Sequence, residues 1–246
     1  MASKAKYTRI FIDDLDVSAA STNVDIDTTV ATEETTTFQA AGITKMTTDP
    51  STKVTLKGYF VTANGAGDLE KELQARLATE TPVYVGVLLA DSTSEAGAPV
   101  YVLASTSGDA LKVSAPAKGL ITVDGEFVDG TVGRKRGVLL WRGSITTTGT
   151  KTAIDIGAAG SVGGNVYVFV QSITGTATNA AIVVESATTQ GGSYSTEATQ
   201  QFSAVGAFAA AMTGTINRWL RINTSSMGGA TAFTVAVVAC VDGVTQ

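Results

Sequence analysis

In VTLKGYFV (Val54–Val61), Val54, Leu56 and Phe60 fall on one face and Thr55, Lys57 and Tyr59 on the other. A period of two is that of a half-buried strand. The same texture recurs in YTRIFID, VDIDTTV, GITKMT, TPVYVGVLL, PVYVLAST, ALKVSA, GLITVDGEFV and GVLLWRG. Turn residues separate most of these segments at short spacings, which predicts an all-β sandwich or partial barrel. Later in the chain GNVYVFVQSI, AAIVVESA, RWLRIN and TAFTVAVVACV continue the series, with glycine-rich turns between them. VYVFV is apolar on both faces, as in a central sandwich strand. These later strands predict a second, smaller β-sandwich.

GDLEKELQARL (Gly67–Leu77) breaks the alternation. Leu69, Leu73 and Leu77 recur every four residues, the stripe of an amphipathic helix. Asp68 can cap its start, and Glu70 and Glu72 sit near its positive end. Glu72 and Arg76 form an i,i+4 pair in the favourable order, and Thr79 with Thr81–Pro82 ends the helix. So short a helix does not hold alone in water. Its leucine stripe is therefore expected to flank a sheet, leaving Glu70, Lys71, Glu72 and Arg76 to meet solvent or a neighbouring subunit. The Thr-rich segment Ser18–Ala41 is too polar for a core strand pair. It reads as an extended loop or a protruding hairpin, and a loop of that length inside a compact domain is usually functional or disordered.

Charge locates a boundary. Of 17 Lys+Arg and 22 Asp+Glu, only Lys151, Arg218, Arg221, Asp155, Glu185, Glu197 and Asp242 lie beyond Arg142. The change coincides with the turn-rich RGSITTTGTK, so two domains are expected, residues 1–142 and 143–246. Hydrophobic residues make up 44% and charged residues 16%, a globular composition. A net charge of −5 gives no drive toward nucleic acid or an anionic membrane. MASKAKYTRIF has no apolar core of a secretory signal. The apolar run Ala204–Met212 is far shorter than the roughly 18–20 residues of a membrane helix. A soluble protein made in the cytosol is expected, with no membrane partner.

The residues offer little chemistry. The chain has no histidine, which removes the commonest general base and metal ligand. The single cysteine, Cys240, rules out a disulfide framework within the chain and reads as a buried small hydrophobe in FTVAVVACV. Asp13, Asp14 and Asp16 in DDLD, and Asp25 and Asp27 in DID, lack the turn glycine and closing Glu of a calcium loop. They read as solvated or interface acids. Asp124, Glu126 and Asp129 in VDGEFVDG are the best carboxylates for glycoside hydrolysis, but their DG is turn-like and no aromatic platform is obvious. Arg134, Lys135 and Arg136 in GRKRG are too few for nucleic-acid binding. They read as a turn whose side chains find carboxylates on a neighbouring surface. The glycine-rich GAAGSVGGN and SMGGA lack the Lys-Ser/Thr of a phosphate loop. Trp141 and Trp219 read as packing residues before a sugar platform.

The order YTRIFIDDLDVS, a long Thr-rich loop, ITKMTTDPSTKVTLKGYFV, the helix DLEKELQARL, VYVGVLLADS, SAPAKGLITVDGEFVDG and GVLLWRG resembles the tail tube proteins of long-tailed bacteriophages, over about Met1–Arg142. The resemblance implies a two-sheet β-sandwich flanked by one helix, hexameric rings, and strands that continue a large inner barrel from subunit to subunit. The region ESATTQGGSYSTEATQQF…GTINRWLRINTSS…TAFTVAVVA is similar to C-terminal domains of actinobacteriophage tail proteins. The expected function is a non-enzymatic structural virion protein that self-assembles into the tail tube, with no cofactor or metal. Its expected partners are its own copies, tape-measure and other tail proteins, and DNA that passes without specific binding. Self-assembly candidates are Glu70, Glu72, Arg76, Arg134, Lys135 and Arg136. The alternatives are a capsid decoration or tail-tip component, or a carbohydrate- or surface-binding module.

Overall fold

The computed structural model describes residues 7–30, 32–34, 45–47, 51–59, 70, 74–75, 83–90, 95–117, 121–160 and 162–244. The first strands are β1 (Arg9–Ile12), β2 (Leu15–Asp16), β3 (Ser21–Thr29), β4 (Thr32–Glu34), β5 (Lys45–Thr47) and β6 (Ser51–Tyr59). Next come β7 (Val83–Leu88), β8 (Pro99–Ser114), β9 (Thr122–Ile145), β10 (Gly149–Thr150), β11 (Ile154–Asp155) and β12 (Gly164–Gly175). The last are β13 (Ala180–Ala187), β14 (Ser195–Phe202), β15 (Gly206–Met212), β16 (Trp219–Ser226) and β17 (Ala230–Val241). The fold is all-β and sandwich-like. Glu70, Gln74 and Ala75 are α-helical, and the rest of the expected helix, including Leu69, Glu72, Leu73, Arg76 and Leu77, lies outside the described residues.

The chain forms two compact units. Unit 1 gathers residues 1–19, 84–102 and 135–246; unit 2 gathers residues 20–83 and 103–134. The units are therefore interleaved along the sequence, and β8 and β9 each run through both.

Unit 1 is built on β12 and β17, which pair antiparallel from Gly164↔Val241 to Gly175↔Ala230. Val166, Val168 and Val170 of β12, with Val235, Val237 and Ala239 of β17, face one core. That core is closed by a second sheet in the order β10-β16-β13-β14, with β11 also on β16. It supplies Ile182, Val184, Leu220 and Ile222. The alternate residues Tyr167, Phe169, Ala236, Val238 and Cys240 face a second core with Phe11, Leu88, Val100 and Val102. β12 is apolar on both faces because each face packs on a different layer. Gly86 lies against Phe169, whose Cζ is 3.0 Å from where a Cβ would stand, so a side chain on β7 at this point would need the Phe169 ring to shift by a few tenths of an ångström.

Beyond β9 the same unit adds β8, β7, β1 and β2 in that order. The β1–β2 turn puts Asp13 at φ 49°, a left-handed conformation that Asp tolerates. Its N–H and Oδ1 bond the Tyr84 carbonyl and N–H, each at 2.9 Å. Arg9 and Arg142 both pair with Glu95, at 2.9 and 3.2 Å, and Arg142 also reaches Asp16 at 3.2 Å.

Several sequence expectations change here. PVYVLAST and ALKVSA are one strand, β8, and GLITVDGEFV and GVLLWRG are one strand, β9. GRKRG and the DG of VDGEFVDG lie inside β9 and are not turns. The cause is continuous pairing: β9 holds β6 over Thr122–Val128 and β17 over Val138–Ile145. The expected strand VDIDTTV, by contrast, falls in β3 through Thr29, which pairs with β6 from Ser21↔Gly58 to Thr29↔Ser51. Beyond it the two short strands β4 and β5 pair with each other.

Candidate functional site

In unit 2, β6 lies between β3 and β9, and β9 is also bonded to β8. Alternation gives this sheet two unlike faces. Thr52, Val54, Leu56, Val123, Phe127 and Asp129 are buried on one. There the Asp129 carboxylate accepts the Thr52 N–H at 2.9 Å. The register puts Asp27 opposite Lys53, Asp25 opposite Thr55, Glu126 opposite Thr55 and Asp124 opposite Lys57. Those six charged residues therefore share the other face, as an acidic row on β3, a basic row on β6 and an acidic row on β9. Lys53 Nζ is 3.3 Å from Glu126 Oε1. The face carries four carboxylates and two ammonium groups.

Among the described residues the sheet is open at two edges. β3 pairs only with β6 among the described residues. On β8, the Leu89 N–H donates to the Pro99 carbonyl at 2.9 Å, which sets the six residues of β7 against the start of a sixteen-residue strand. The later residues of β8 extend past β7. An open edge presents a row of unpaired backbone donors and acceptors.

A second polar array lies on the solvent face of the β16–β13–β14 sheet, within unit 1. Leu220, Ile222 and Thr224 of β16 are buried, so Trp219, Arg221 and Asn223 stand on the other face. Arg221 Nε donates to Glu185 Oε2 at 2.7 Å, and Asn223 Nδ2 donates to Glu185 Oε1 at 2.9 Å. The guanidinium carbon of Arg221 sits 3.7 Å from the Tyr194 ring centroid, a cation–π contact. Beside Trp219, Asp155 takes two bonds from Arg218, at 2.7 and 2.6 Å. Those bonds, with the Gly157 N–H, hold the Asp155 carboxyl below its ordinary value. A neighbouring network is closed on itself: buried Ser186 donates to Glu197 at 2.5 Å and accepts two N–H groups of Asn217 at 3.1 Å.

The residues singled out from sequence are scattered. Arg134 and Arg136 are exposed on β9. Lys135 pairs with Asp242 of its own chain at 2.9 Å, and Arg136 lies 6.0 Å from the Tyr101 ring centroid. Glu70 is half-buried, while Glu72 and Arg76 fall outside the described residues. Asp13 is a turn residue; Asp16 accepts Ser18 and Arg142. Asp25 and Asp27 join the charged face of unit 2. Among the described residues no group of three or more His, Cys, Asp or Glu could hold a metal. No described helix is long and apolar enough to cross a membrane.

The two tryptophans differ. Trp141 packs against the main core of unit 1, with Lys151 Nζ 4.8 Å from its ring centroid. Trp219 lies on the solvent face of β16. Cys240 is buried, and burial pushes its thiol up to about 12. The array at Glu185, Arg221 and Asn223 was missed because its members come from separate segments; the available signal was polar residues at alternate positions in RWLRIN.

No protein-family model and no curated protein matches the chain. Among solved structures it overlaps a chain of the virion of a native gene transfer agent particle, with 12% identity, 53% of this chain, 96% of the other and a TM-score of 0.41. It overlaps the SPP1 Dit protein, described as a hub of the adsorption apparatus in phages infecting Gram-positive hosts, with 11% identity, 95% and 98% coverage and a TM-score of 0.35. A chain of the phage P2 baseplate in its activated conformation gives 10% identity, 94% and 97% coverage and a TM-score of 0.33. All three scores are below 0.5, so these overlaps carry no functional argument.

Proposed function

We propose that the chain is a non-catalytic structural protein of a phage virion, a tail subunit that joins its own copies head to tail in rings that stack into a tube. The carrying observation is the unit 2 sheet, open among the described residues at β3 and along β8 and charged on one face. A neighbouring copy that sets its β8 beside β3 pairs both rows of backbone groups, and repetition about an axis closes a ring. The family resemblance supports six copies. In this reading the charged face is the inner wall. Its four carboxylates exceed its two lysines, so the wall repels phosphate and lets DNA pass without holding it.

Residues 143–246 form the accessory β-sandwich in this reading, and Glu70, Glu72, Arg76, Arg134, Lys135 and Arg136 are its remaining contact candidates. Tape-measure and other tail proteins are its further partners. The protein is made in the host cytoplasm and ends in the virion tail.

Negative-stain electron microscopy of the purified full-length chain tests this, with rings or tubes as the expected result. Successive N–H groups on a strand point to opposite edges. Of Lys112→Pro and Val113→Pro, one is therefore expected to block assembly while leaving the melting temperature nearly unchanged, and the other to weaken the β8–β9 pairing. A chain that stays monomeric at all concentrations, or two variants that both assemble normally, rejects the reading.

A further inference from the structure

We propose that the solvent face of the β16–β13–β14 sheet binds an uncharged saccharide, with Trp219 as the stacking plane and Glu185, Arg221 and Asn223 as the hydrogen-bonding set. The inference does not depend on the tube reading.

Arg221 is fixed at two points. Its Nε is held by Glu185 and its plane rests on Tyr194. Both contacts leave the two Nη groups without a hydrogen-bond partner among the described residues, and neither Nη is buried. Asn223 spends one N–H on Glu185 and keeps its carbonyl oxygen, while each Glu185 oxygen keeps a lone pair. Donors and acceptors thus stand side by side on a paired stretch of sheet, where Arg221 is opposite Glu185 and Trp219 opposite Ala187. Thr196 lies opposite Glu185 and Thr199 opposite Val183 on β14, which extends the same face with hydroxyl groups. The side chains are already held before a ligand arrives, which lowers the ordering cost of binding.

Charge decides the ligand class. Arg221 is balanced by Glu185 and Arg218 by Asp155. A polyanion meets a carboxylate beside each guanidinium, and a polycation meets the reverse. An apolar ligand covers the Nη groups and the carboxylate without bonding them, which is costly. A polyol suits the array, because each hydroxyl both donates and accepts and neighbouring hydroxyls can bridge a carboxylate and a guanidinium. The C–H face of a pyranose ring supplies the apolar surface that Trp219 can stack.

A glycan array carrying neutral and acidic saccharides, probed with the purified full-length chain, tests the proposal. Retention on neutral glycans is expected. Trp219→Ala and Asn223→Ala should each weaken it roughly tenfold or more, as for anchor residues in other interfaces. Arg221→Lys keeps the charge while losing the fork, and is expected to weaken retention similarly. Thermal melts of each variant guard against unfolding, and any one of the three that folds suffices as the test. Retention of no glycan, retention confined to acidic glycans, or equal retention by the folded variants overturns the proposal.

Discussion

Thr224 shows what a single residue can cost a sandwich. It lies on the inward face of β16, fully buried, and its Oγ1 has no partner among the described residues. A buried hydroxyl without a hydrogen bond loses water and gains nothing. Thr224→Val keeps the shape and removes that oxygen, so it is expected to raise stability by about 1 kcal/mol, read as a higher denaturant midpoint. A lower midpoint would mean that the hydroxyl is bonded. Cys240 makes the complementary case. Its burial was legible from its apolar run, because an uninterrupted hydrophobic segment in a β-rich chain has to lie inside. Trp219 was not legible in that way. A tryptophan between Arg218 and Leu220 reads as packing until the register shows Leu220 turned inward and Trp219 outward.

At the level of elements, pairing overrode local turn signals. Gly125, Gly130, Gly133 and Gly137 all fall within β9, although glycine in a strand interior weakens it. Gly137 has a specific reason to be there. A Cβ at that position would stand 2.4 Å from the Ala239 carbonyl oxygen and 2.6 Å from Cys240 Sγ, well inside contact distance. Gly137→Ala must push β9 off β17, and a loss of roughly 2–3 kcal/mol is expected by analogy with overpacked cores. Equilibrium denaturation measures it, and a loss below the ~0.5 kcal/mol of a neutral surface change would show that the strands separate freely. The helix expected over Gly67–Leu77 is helical at the three positions described within it. The GRKRG segment went the other way. Its glycines and charges resemble a turn locally, but β9 has partners before and after it.

The whole molecule links its burial to pH. Cys240 has an ordinary value of 9.0 and is pushed up to about 12 in the fold by loss of solvation. The folded state keeps its thiol proton where the unfolded chain releases it. That contribution to stability is complete below pH 9 and is lost as pH rises from about 9 toward about 12. Burial also raises the Tyr167 phenol in the same core, so its loss has the same sign at higher pH. The melting temperature is expected to fall through this window, and Cys240→Ala should flatten the early part of the fall; a variant with the same alkaline profile as the parent would remove Cys240 as the cause. The sequence by itself determined the fold class, most strand positions, the poverty of catalytic and metal-binding groups among its residue types, and the doubly apolar character of β12. Those follow from side-chain period and composition, which are local. Only the tertiary structure decided that Phe11, Leu88, Val100 and Val102 complete a core with β12 and β17, that β8 and β9 run unbroken through two units, and that Glu185, Tyr194, Arg221 and Asn223 meet on one face. Such arrangements depend on which distant strands pair and in what register, and a period of two fixes the faces of a strand without naming its neighbour.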